Sequence, residues 1–332
     1  MKLEVQQKMQ QNKRRSSKKV VVIGDIMLDH YIKGHVQRIS PEAPVPVVRV
    51  VEDEYRLGGA ANTANNLATL GQEVYLIGLV NHDDAGKKID ELCQKNKVLA
   101  LFYNDDRPTI VKQRIIALGY NQQLLRVDRE KTHNLPDKIA DQILEQLDLL
   151  DPTYIVISDY AKGVISSYLI QKMKTKYKNK MIIDTKPNHL YMFKGCFILK
   201  PNLKELAESV GKEIDNNDQE VVMAARELID KYEFSYIIVT RSEKGATLIS
   251  KQGLVRHFST KVEEVHDVTG AGDTFIAALT YALTQHDGDL IKAVRFAIKA
   301  SSISVTKVGT STVSLDEVKR FPFEVVETVG DA

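Results

Sequence analysis

The chain has 332 residues, of which 43% are hydrophobic and 27% are charged, with 18 Gly, 9 Pro and 2 Cys. This is the composition of a globular protein with one large or two modest domains, and it excludes a disordered, collagen-like or disulfide-stapled chain. The formal net charge is +2, but residues 1–19 carry seven cations and one acid, so that this segment is +6 and the remainder −4.

The excess positive charge therefore belongs to an N-terminal tail, residues 1–18, which is predicted to be a basic disordered arm. The tail has neither the apolar run nor the cleavage site of a secretory signal, and no stretch of the chain has the uninterrupted apolar length of a membrane helix. Cys93 and Cys196 lie far apart without metal spacing, which disfavours a disulfide and a zinc site. We expect a cytoplasmic protein that binds neither membrane nor nucleic acid.

From residue 20 onward, short β-branched runs alternate with longer segments of helical period. Strands buried on both faces are predicted at residues 20–23, 74–77, 154–157, 181–183 and 236–239. Helices are predicted at residues 60–70, 84–96, 135–149, 166–177, 202–210, 217–231, 271–285 and 289–305. This alternation predicts an α/β fold with a mostly parallel central sheet and helices on both faces, in which ligands bind at the carboxyl ends of the strands.

Two segments interrupt the alternation. Residues 31–51 contain β-formers broken by glycine and prolines, and residues 109–128 alternate apolar with polar side chains. Both segments suit a small antiparallel sheet that projects from the main body. The sequence shows no flexible linker or repeat, so we predict one domain over residues 19–320, followed by a C-terminal tail at 321–332.

The segment from Asp267 to Phe275 reads DVTGAGDTF and precedes a run of small and apolar residues that predicts a buried helix. The free N–H groups of a first helical turn favour an anion, and Gly270 and Gly272 allow an oxygen-rich group to approach the backbone closely. Asp273 would repel a phosphate there, unless it takes a proton from a hydroxyl that attacks the phosphate. The pattern indicates phosphoryl transfer to an alcohol, although such a segment alone is also typical of an ordinary helix start.

A second glycine-rich helix start lies far upstream and reads LGGAANTANNL from Leu57 onward. Gly58 and Gly59 would let a polyhydroxylated ligand lie against the backbone, and Asn62 and Asn66 share one helix face. Tight helix packing is the alternative interpretation of these residues.

With these two motifs, the sequence resembles the ribokinase-like (PfkB) sugar kinases, whose signatures are Gly-Gly-x-x-Asn and Asp-x-Thr-Gly-Ala-Gly-Asp. The resemblance covers roughly residues 19–318. Within the family, the segments 40–47, 121–128 and 158–163 are most similar to the D-glycero-D-manno-heptose 7-phosphate kinases of lipopolysaccharide heptose synthesis. The resemblance implies a ribokinase-like fold and ATP- and Mg²⁺-dependent phosphorylation of the anomeric hydroxyl, giving heptose 1,7-bisphosphate.

Some relatives carry a second, nucleotidyltransferase domain, which would need a His-x-Gly-His motif. No such motif occurs in these 332 residues, so a kinase-only form is expected.

The resemblance also implies roles for individual residues on the sugar side. Asp273 would deprotonate the anomeric hydroxyl, and Gly270, Ala271 and Gly272 would form the anion hole. Asp29 would bind sugar hydroxyls. The rest of the implied sugar-side set comprises Asp25, Gly58, Gly59 and Asn62; at Asp25 many relatives have a small polar residue instead.

On the nucleotide side, Asn202 and Glu205 match the Asn-x-x-Glu segment that the family associates with Mg²⁺ and phosphate, with Glu205 as an indirect metal contact. The other residues implied to contact ATP are Lys186, Thr240, Ser242, Gly245, Ser301 and Gly309. Ser301 and Gly309 lie in segments that usually border the adenine, and Lys186 follows a threonine where relatives often have proline.

A substrate that already carries a phosphate needs cations near it. The candidates are Arg107, Lys112, Arg114 and Arg126 on the predicted small sheet and Lys162 after a core strand, and we expect two of these five to be ligands. Each of them is alternatively a solvated charge. In relatives the small sheet is a lid that pairs with its twin, so a homodimer is implied, and lid closure would exclude water.

Three other functions are compatible with parts of the sequence. The first is another kinase of the same family, acting on a different sugar or a nucleoside. The second is a non-catalytic sugar-binding regulator with the same fold. An oxidoreductase is disfavoured because Gly24 is followed by Asp25 and not by a glycine-rich turn, and no P-loop motif is present.

Overall fold

A computed structural model describes residues 18–119, 122–261 and 265–330. Apart from Lys18, the tail predicted for residues 1–18 lies outside the described residues. No helix in the described part of the chain has the length and apolar character required to cross a membrane.

The secondary structure comprises fourteen strands and nine α-helices within the described residues. The strands are β1 (Val20–Gly24), β2 (Ile26–Ile39), β3 (Pro46–Gly59), β4 (Val74–Leu79), β5 (Leu99–Tyr103), β6 (Ile110–Ala117), β7 (Gln122–Arg129), β8 (Tyr154–Ser158), β9 (Met181–Asp184), β10 (Ile198–Leu199), β11 (Tyr236–Thr240), β12 (Ala246–Ser250), β13 (Val255–Ser259) and β14 (Val326–Val329). The helices are α1 (Ala60–Thr69), α2 (Asp84–Lys95), α3 (Asp137–Leu150), α4 (Ser167–Tyr177), α5 (Leu203–Val210), α6 (Asp218–Tyr232), α7 (Ala271–Gln285), α8 (Leu290–Ser304) and α9 (Leu315–Lys319).

Ten strands form the large sheet, in the order β14-β13-β12-β11-β10-β9-β8-β1-β4-β5. Seven neighbouring strands of this sheet are parallel: β11, β10, β9, β8, β1, β4 and β5. Strands β12, β13 and β14 extend the β11 edge in antiparallel fashion. The predicted α/β fold with a mostly parallel sheet is confirmed. Residues 321–332, predicted to be a C-terminal tail, include β14, which pairs with β13 and so belongs to the sheet.

The two faces of the large sheet pack against separate sets of helices. The position of β1 explains why its residues are uniformly apolar. Val20 and Val22 belong to one hydrophobic core, and Val21 and Ile23 belong to the other. Residues of α1, α2, α7 and α8 contribute to the first core, and residues of α3, α4, α5 and α6 contribute to the second. Both faces of the strand are therefore buried, as its lack of alternation predicts.

The small sheet has the order β3-β2-β6-β7. Its outer pairs are antiparallel as predicted, but β2 and β6 pair in parallel, which the prediction of an antiparallel sheet missed. The reason is that β2 follows β1 and β6 follows β5, and β1 and β5 point the same way in the large sheet. Both connections therefore leave from the carboxyl edge of the large sheet, and the small sheet stands beside the ligand-binding edge.

Candidate active site

The site is built around the N-terminus of α7, a helix that is apolar on nearly all sides and buried against α1 and α8. Gly270 precedes the helix with a φ of 78°, and a Cβ there would lie 2.9 Å from Asn62 Nδ2. Glycine is therefore required both by the backbone conformation and by the close approach of Asn62. Ala271 and Gly272 open the first turn, where the N–H groups lack intrahelical partners and favour an anion.

Asp273 lies in that first turn and is buried. Its Oδ2 accepts a 2.8 Å hydrogen bond from Asn62 Nδ2, and its Oδ1 accepts one of 2.8 Å from the Tyr160 hydroxyl and a longer one of 3.4 Å from Thr63. Burial raises the pKa of Asp273 to about 6, against the opposing effect of the hydrogen bond from Asn62. The carboxylate is therefore ionised at neutral pH and still more basic than an exposed aspartate, as a general base requires.

Tyr160 has no role predicted from the sequence, although the segment around it contributes to the family resemblance. Its hydroxyl donates to Asp273, and burial together with the negative charge of Asp273 raises the pKa of the phenol well above its ordinary value. Tyr160 therefore stays protonated and acts as a neutral hydrogen-bond donor to the carboxylate.

Two lysine–carboxylate pairs lie beside the anion site. Lys200 contacts Asp184 at 3.1 Å, and Lys186 contacts Glu205 at 2.8 Å. A Cβ on Gly272 would lie 3.5 Å from Lys200 Nζ, so the buried ammonium group lies next to the backbone of the first turn. Burial opposes the charge of Lys200, but Asp184 and Glu205 outweigh it and raise the pKa of the lysine. The sequence analysis missed Lys200; the signal that could have indicated it is the Lys-Pro-Asn run leading into Asn202.

Asn202 and Glu205 form a capping box at the start of α5. The side chain of Asn202 accepts from the Glu205 N–H at 2.8 Å, and the side chain of Glu205 accepts from the Asn202 N–H at 3.1 Å. Although burial opposes it, Lys200 and Lys186 hold the pKa of Glu205 below its usual value, so the carboxylate is charged. The predicted Asn-x-x-Glu segment thus combines a structural cap with a negative charge beside two lysines.

Mg²⁺ prefers oxygen ligands and is usually held by one or two carboxylates together with substrate phosphates and water. Asp184 and Glu205 offer such oxygens next to the anion site, so the residues present fit this ion when it is shared with phosphate. No cluster of three or more His, Cys, Asp or Glu side chains in residues 18–119, 122–261 and 265–330 could hold a metal by itself.

The remaining residues predicted to contact the nucleotide lie at the end of β11, in the turn that follows it and in α8. Thr240 ends β11 and forms an isolated bridge with Asn202, which joins the two segments. Ser242 begins a short 3₁₀ turn that closes with a hydrogen bond from the Gly245 N–H to its carbonyl, at 3.0 Å. Ser301 lies in α8, where its hydroxyl donates to the Ile298 carbonyl at 3.1 Å.

Gly309, which the resemblance places in a segment bordering the adenine, lies close to the small sheet. Its N–H donates to Asp267 at 2.8 Å, and a Cβ there would lie 2.6 Å from Arg56 Nη1 of β3 and 3.3 Å from the Tyr31 hydroxyl of β2. Arg56 also donates to the carbonyls of Val308 and Thr310, at 2.7 and 3.2 Å. The loop carrying Gly309 is therefore held against the base of the small sheet.

On the sugar side, Asp29 is buried and pairs with Arg114 at 2.6 Å. A Cβ on Gly58 would lie 2.6 Å from Asp29 Oδ2, which explains the glycine at this position. Gly59, the N-cap of α1, places Asn62 in the first turn of the helix, directly against Asp273. The structure thus brings together Asp29, the two glycines and Asn62, as predicted.

Asp25 has a structural role in the loop after β8. It is fully buried, and its carboxylate accepts hydrogen bonds from the backbone N–H groups of Tyr160, Lys162 and Val164 at 2.8, 3.0 and 3.2 Å. Burial raises the pKa of Asp25 to about 6, which these three bonds oppose. Asp25 therefore fixes the loop after β8, and its predicted contact with the sugar stays a prediction.

Of the five candidate phosphate-binding cations, Arg107 has the most contacts within the protein. It is buried and donates to Asp105 at 2.5 Å and to the carbonyls of Lys162 and His133 at 2.9 Å each. Every nitrogen of its guanidinium group donates to a partner within the protein, and four of its five N–H donors are used in this way. Arg107 therefore holds the loops together in this structure.

The other four cations lie at or near the small sheet. Lys162 pairs with Glu130 at 2.5 Å, and the partly exposed Arg126 pairs with Asp128 at 2.5 Å. Within the described residues, Lys112 has no carboxylate within ion-pair distance, and its Nζ lies 5.9 Å from the centroid of the Tyr160 ring. Burial lowers the pKa of Lys112, with a further contribution from Arg126. Arg114 pairs with the sugar-side Asp29 at 2.6 Å, and Lys112 lies beside Tyr160, so these two cations are the ones whose contacts lead to the site. Which of the five cations binds the phosphate stays a prediction.

The profile of the pfkB family of carbohydrate kinases matches residues 17–317. Among curated proteins, the bifunctional protein HldE of Hyphomonas neptunium is 41% identical over 313 residues, and that of Haemophilus influenzae (strain PittEE) is 42% identical over 308 residues. These matches cover 92% and 91% of this chain and 64% and 63% of the relatives. The chain thus spans less than two thirds of the length of these relatives.

Among solved structures, the phosphofructokinase-2 of Escherichia coli in complex with potassium has a TM-score of 0.76 at 20% identity, covering 92% of this chain and 98% of its own. The ribokinase of Thermotoga maritima has a TM-score of 0.71 at 21% identity, covering 91% and 98%. At this level of identity the similarity shows the fold, and the ribokinase-like fold with its small four-stranded sheet is confirmed.

Proposed function

This chain belongs to the pfkB family of carbohydrate kinases, and from that membership we propose that it transfers the γ-phosphoryl group of ATP to the anomeric hydroxyl of D-glycero-D-manno-heptose 7-phosphate. The product would be the 1,7-bisphosphate. The observation that carries the proposal is the buried Asp273 at the N-terminus of α7, next to the sugar-side Asn62 and the phosphate-side Lys200. The heptose is supported by the 41% identity to a protein called HldE and by the cations near Asp29.

The chemistry follows from the geometry of α7. Asp273 would take the proton of the sugar hydroxyl as the oxygen attacks the γ-phosphorus, and ADP would leave. The N–H groups from Gly270 to Asp273 would stabilise the charge on the transferred phosphoryl group, and Lys200 would add a positive charge beside Gly272.

Mg²⁺ would be held between ATP phosphates and the carboxylates of Asp184 and Glu205, with Glu205 as an indirect contact. When bound, Mg²⁺ neutralises charge on the phosphate oxygens. Two lysines of this chain neutralise the negative charge of the two carboxylates: Lys186 pairs with Glu205, and Lys200 pairs with Asp184.

The existing phosphate of the substrate would bind to Lys112 and Arg114. Arg114 donates one N–H to Asp29, which leaves other donors of its planar fork for a phosphate. Beside it, the Tyr31 hydroxyl is buried, only 5% of the residue being exposed, and has no hydrogen-bond partner among the described residues. An unpaired buried hydroxyl is costly, which supports an oxygen-rich ligand at this position.

We also propose that the enzyme is a homodimer joined through the small sheet and that it works in the cytoplasm. The exposed apolar residues of the small sheet support the dimer; they include Ile39, Val50, Val51 and Leu125, which are 53–62% exposed. Two buried free cysteines, Cys93 and Cys196, support a reducing compartment.

The proposal is tested by measuring ADP release with a panel of acceptors: the heptose 7-phosphate, the unphosphorylated heptose, fructose 6-phosphate and ribose. We expect kcat/KM for the heptose 7-phosphate to exceed that for the unphosphorylated heptose by roughly a hundredfold, because two cations would be left without their anion. Preference for an unphosphorylated sugar or a nucleoside would overturn the substrate and leave the family assignment intact.

A further inference from the structure

The hydrogen bonds to Asp273 come from two opposite sides of the site. Asn62 on α1 binds Oδ2, and Tyr160 on the loop after β8 binds Oδ1, each at 2.8 Å. Two donors on different oxygens define the plane of a carboxylate, so Asp273 has one orientation in the site. Without the Tyr160 hydroxyl, Oδ1 would keep only the long 3.4 Å contact with Thr63, and the carboxylate would be held less firmly.

Tyr160 is itself held in place. Its backbone N–H donates to the buried Asp25, and so do the N–H groups of Lys162 and Val164 in the same loop. Its ring lies between two lysines: Nζ of Lys112 is 5.9 Å from the ring centroid, and Nζ of Lys186 is 5.7 Å from it. Tyr160 therefore connects the general base with one cation on the sugar side and one on the nucleotide side.

We propose that Tyr160 is a positioning residue for phosphoryl transfer: its hydroxyl fixes Asp273 in the orientation and the ionised state that accept the proton of the sugar hydroxyl. Resting on the proposed function, the role belongs to a residue outside the two glycine-rich signatures. A phenol suits the task because it is neutral and retains its proton, so that it stabilises the carboxylate without forming an ion pair that would abolish its basicity.

The charged groups around Asp273 and Tyr160 set the expected effect of removing the hydroxyl. Asp184 and Lys200 act on Asp273 with opposite signs, and Asp29 and Asp184 act on the phenol. The hydrogen bond from Tyr160 lowers the pKa of Asp273 against the larger effect of burial. Its loss therefore raises the pKa of Asp273, and a greater fraction of the enzyme is protonated and inactive near pH 6 to 7.

Tyr160→Phe removes the hydroxyl and keeps the ring between the two lysines. We expect kcat to fall by roughly tenfold to a hundredfold at neutral pH, because a hydrogen bond to a charged group is lost, while KM for the sugar changes little. The acidic limb of the kcat/KM profile should move to higher pH. The matched control is Tyr168→Phe, which also removes a hydroxyl donating to a carboxylate at 2.8 Å, that of Asp141, away from Asp273.

The inference is overturned if Tyr160→Phe unfolds at the same urea concentration as the wild type and keeps both its kcat and its acidic limb. The assay uses whichever acceptor of the panel is turned over fastest, so a different sugar would refute the proposed substrate and leave the test of Tyr160 valid. A second measurement needs no turnover at all. Carboxylate ¹³C NMR should show a resonance that disappears in Asp273→Asn and titrates at higher pH in Tyr160→Phe; an unchanged midpoint would also refute the role of Tyr160.

Discussion

The side-chain nitrogen of Asn62 lies 2.8 Å from Oδ2 of Asp273, although the two residues are 211 positions apart. This bond joins the two glycine-rich helix starts, because Asn62 belongs to the first turns of α1 and Asp273 to the first turn of α7. The segment expected to bind the sugar and the segment expected to bind the transferred phosphoryl group therefore form a single site.

Replacing the general base should abolish turnover while nucleotide binding persists. We expect Asp273→Asn to lower kcat by roughly a hundredfold to ten-thousandfold, the usual contribution of a positioned acid or base. The amide is nearly isosteric and still fits between Asn62 and Tyr160. ATP affinity, measured by calorimetry, should change little. Asp84→Asn, at an exposed Asp84–Lys87 pair, is the matched control and should keep full activity. Turnover at the wild-type rate in Asp273→Asn would refute the role of Asp273.

The pH dependence should report the same carboxylate. Its pKa of about 6 in the folded enzyme means that the active, deprotonated form predominates above pH 6 and is lost as the pH falls through 6. We expect kcat/KM to level off above neutral pH. Below pH 6 it should decrease by close to tenfold for each pH unit. The profile should be measured with the free enzyme stable at every pH used. A limb near pH 4, typical of an exposed aspartate, would contradict the buried geometry.

Much of this site was accessible from the sequence. Gly270, Gly272 and Asp273 are adjacent in the chain, and the apolar run after them identifies α7 without further information. Tyr160 was not accessible in the same way, because its hydroxyl reaches Asp273 across 113 positions only when Asp25 holds the loop. The hydrophobic periodicity of a sequence indicates which face of a helix or strand is buried. It does not indicate which side chain of a loop contacts a residue far away in the chain.

The same limit explains the differences in the fold. The parallel pairing of β2 and β6 depends on where both strands leave the large sheet, which no local pattern encodes. The sequence also did not predict the partners of Arg107, because Asp105 and the carbonyls of Lys162 and His133 are brought to it by tertiary structure. Residue type alone could not separate it from Arg114.

Arg114 should matter for the phosphorylated sugar and much less for its unphosphorylated form. We expect Arg114→Gln to raise KM for the sugar phosphate by roughly tenfold to a hundredfold, because a charged hydrogen bond to the phosphate is lost. KM for the unphosphorylated sugar should change less, which separates loss of the phosphate contact from disturbance of Asp29. Arg126→Gln is the control on the same sheet, since Arg126 is partly exposed and pairs with Asp128. A larger rise in KM in the control would reverse the assignment.

Arg107 should instead determine stability. Arg107→Met removes the arginine from a buried ion pair and leaves the Asp105 carboxylate, 2% exposed, with the His133 ring at 3.1 Å as its remaining basic partner. We expect the free energy of unfolding to fall by about 3 to 5 kcal/mol, measured by urea denaturation. The double variant Arg107→Met/Asp105→Leu should recover part of this loss, because no buried charge is left unpaired. Arg126→Gln should cost no more than about 1 kcal/mol. Equal effects of Arg107→Met and Arg126→Gln would show that the Arg107 pair is not structural.

The dimer proposed for the small sheet can be tested through its exposed apolar side chains. Ile39 and Leu125 are 62% and 54% exposed, and contact with a partner subunit would remove these apolar side chains from water. We expect the wild type to have the mass of a dimer by light scattering and Ile39→Glu/Leu125→Glu to have that of a monomer, since charges would be buried without partners at the interface. Leu149→Glu is the control, because Leu149 is 70% exposed on α3 of the main body and should not affect the mass. A monomeric wild type, or a dimer dissociated by Leu149→Glu and not by the double variant, would place the interface elsewhere or remove it.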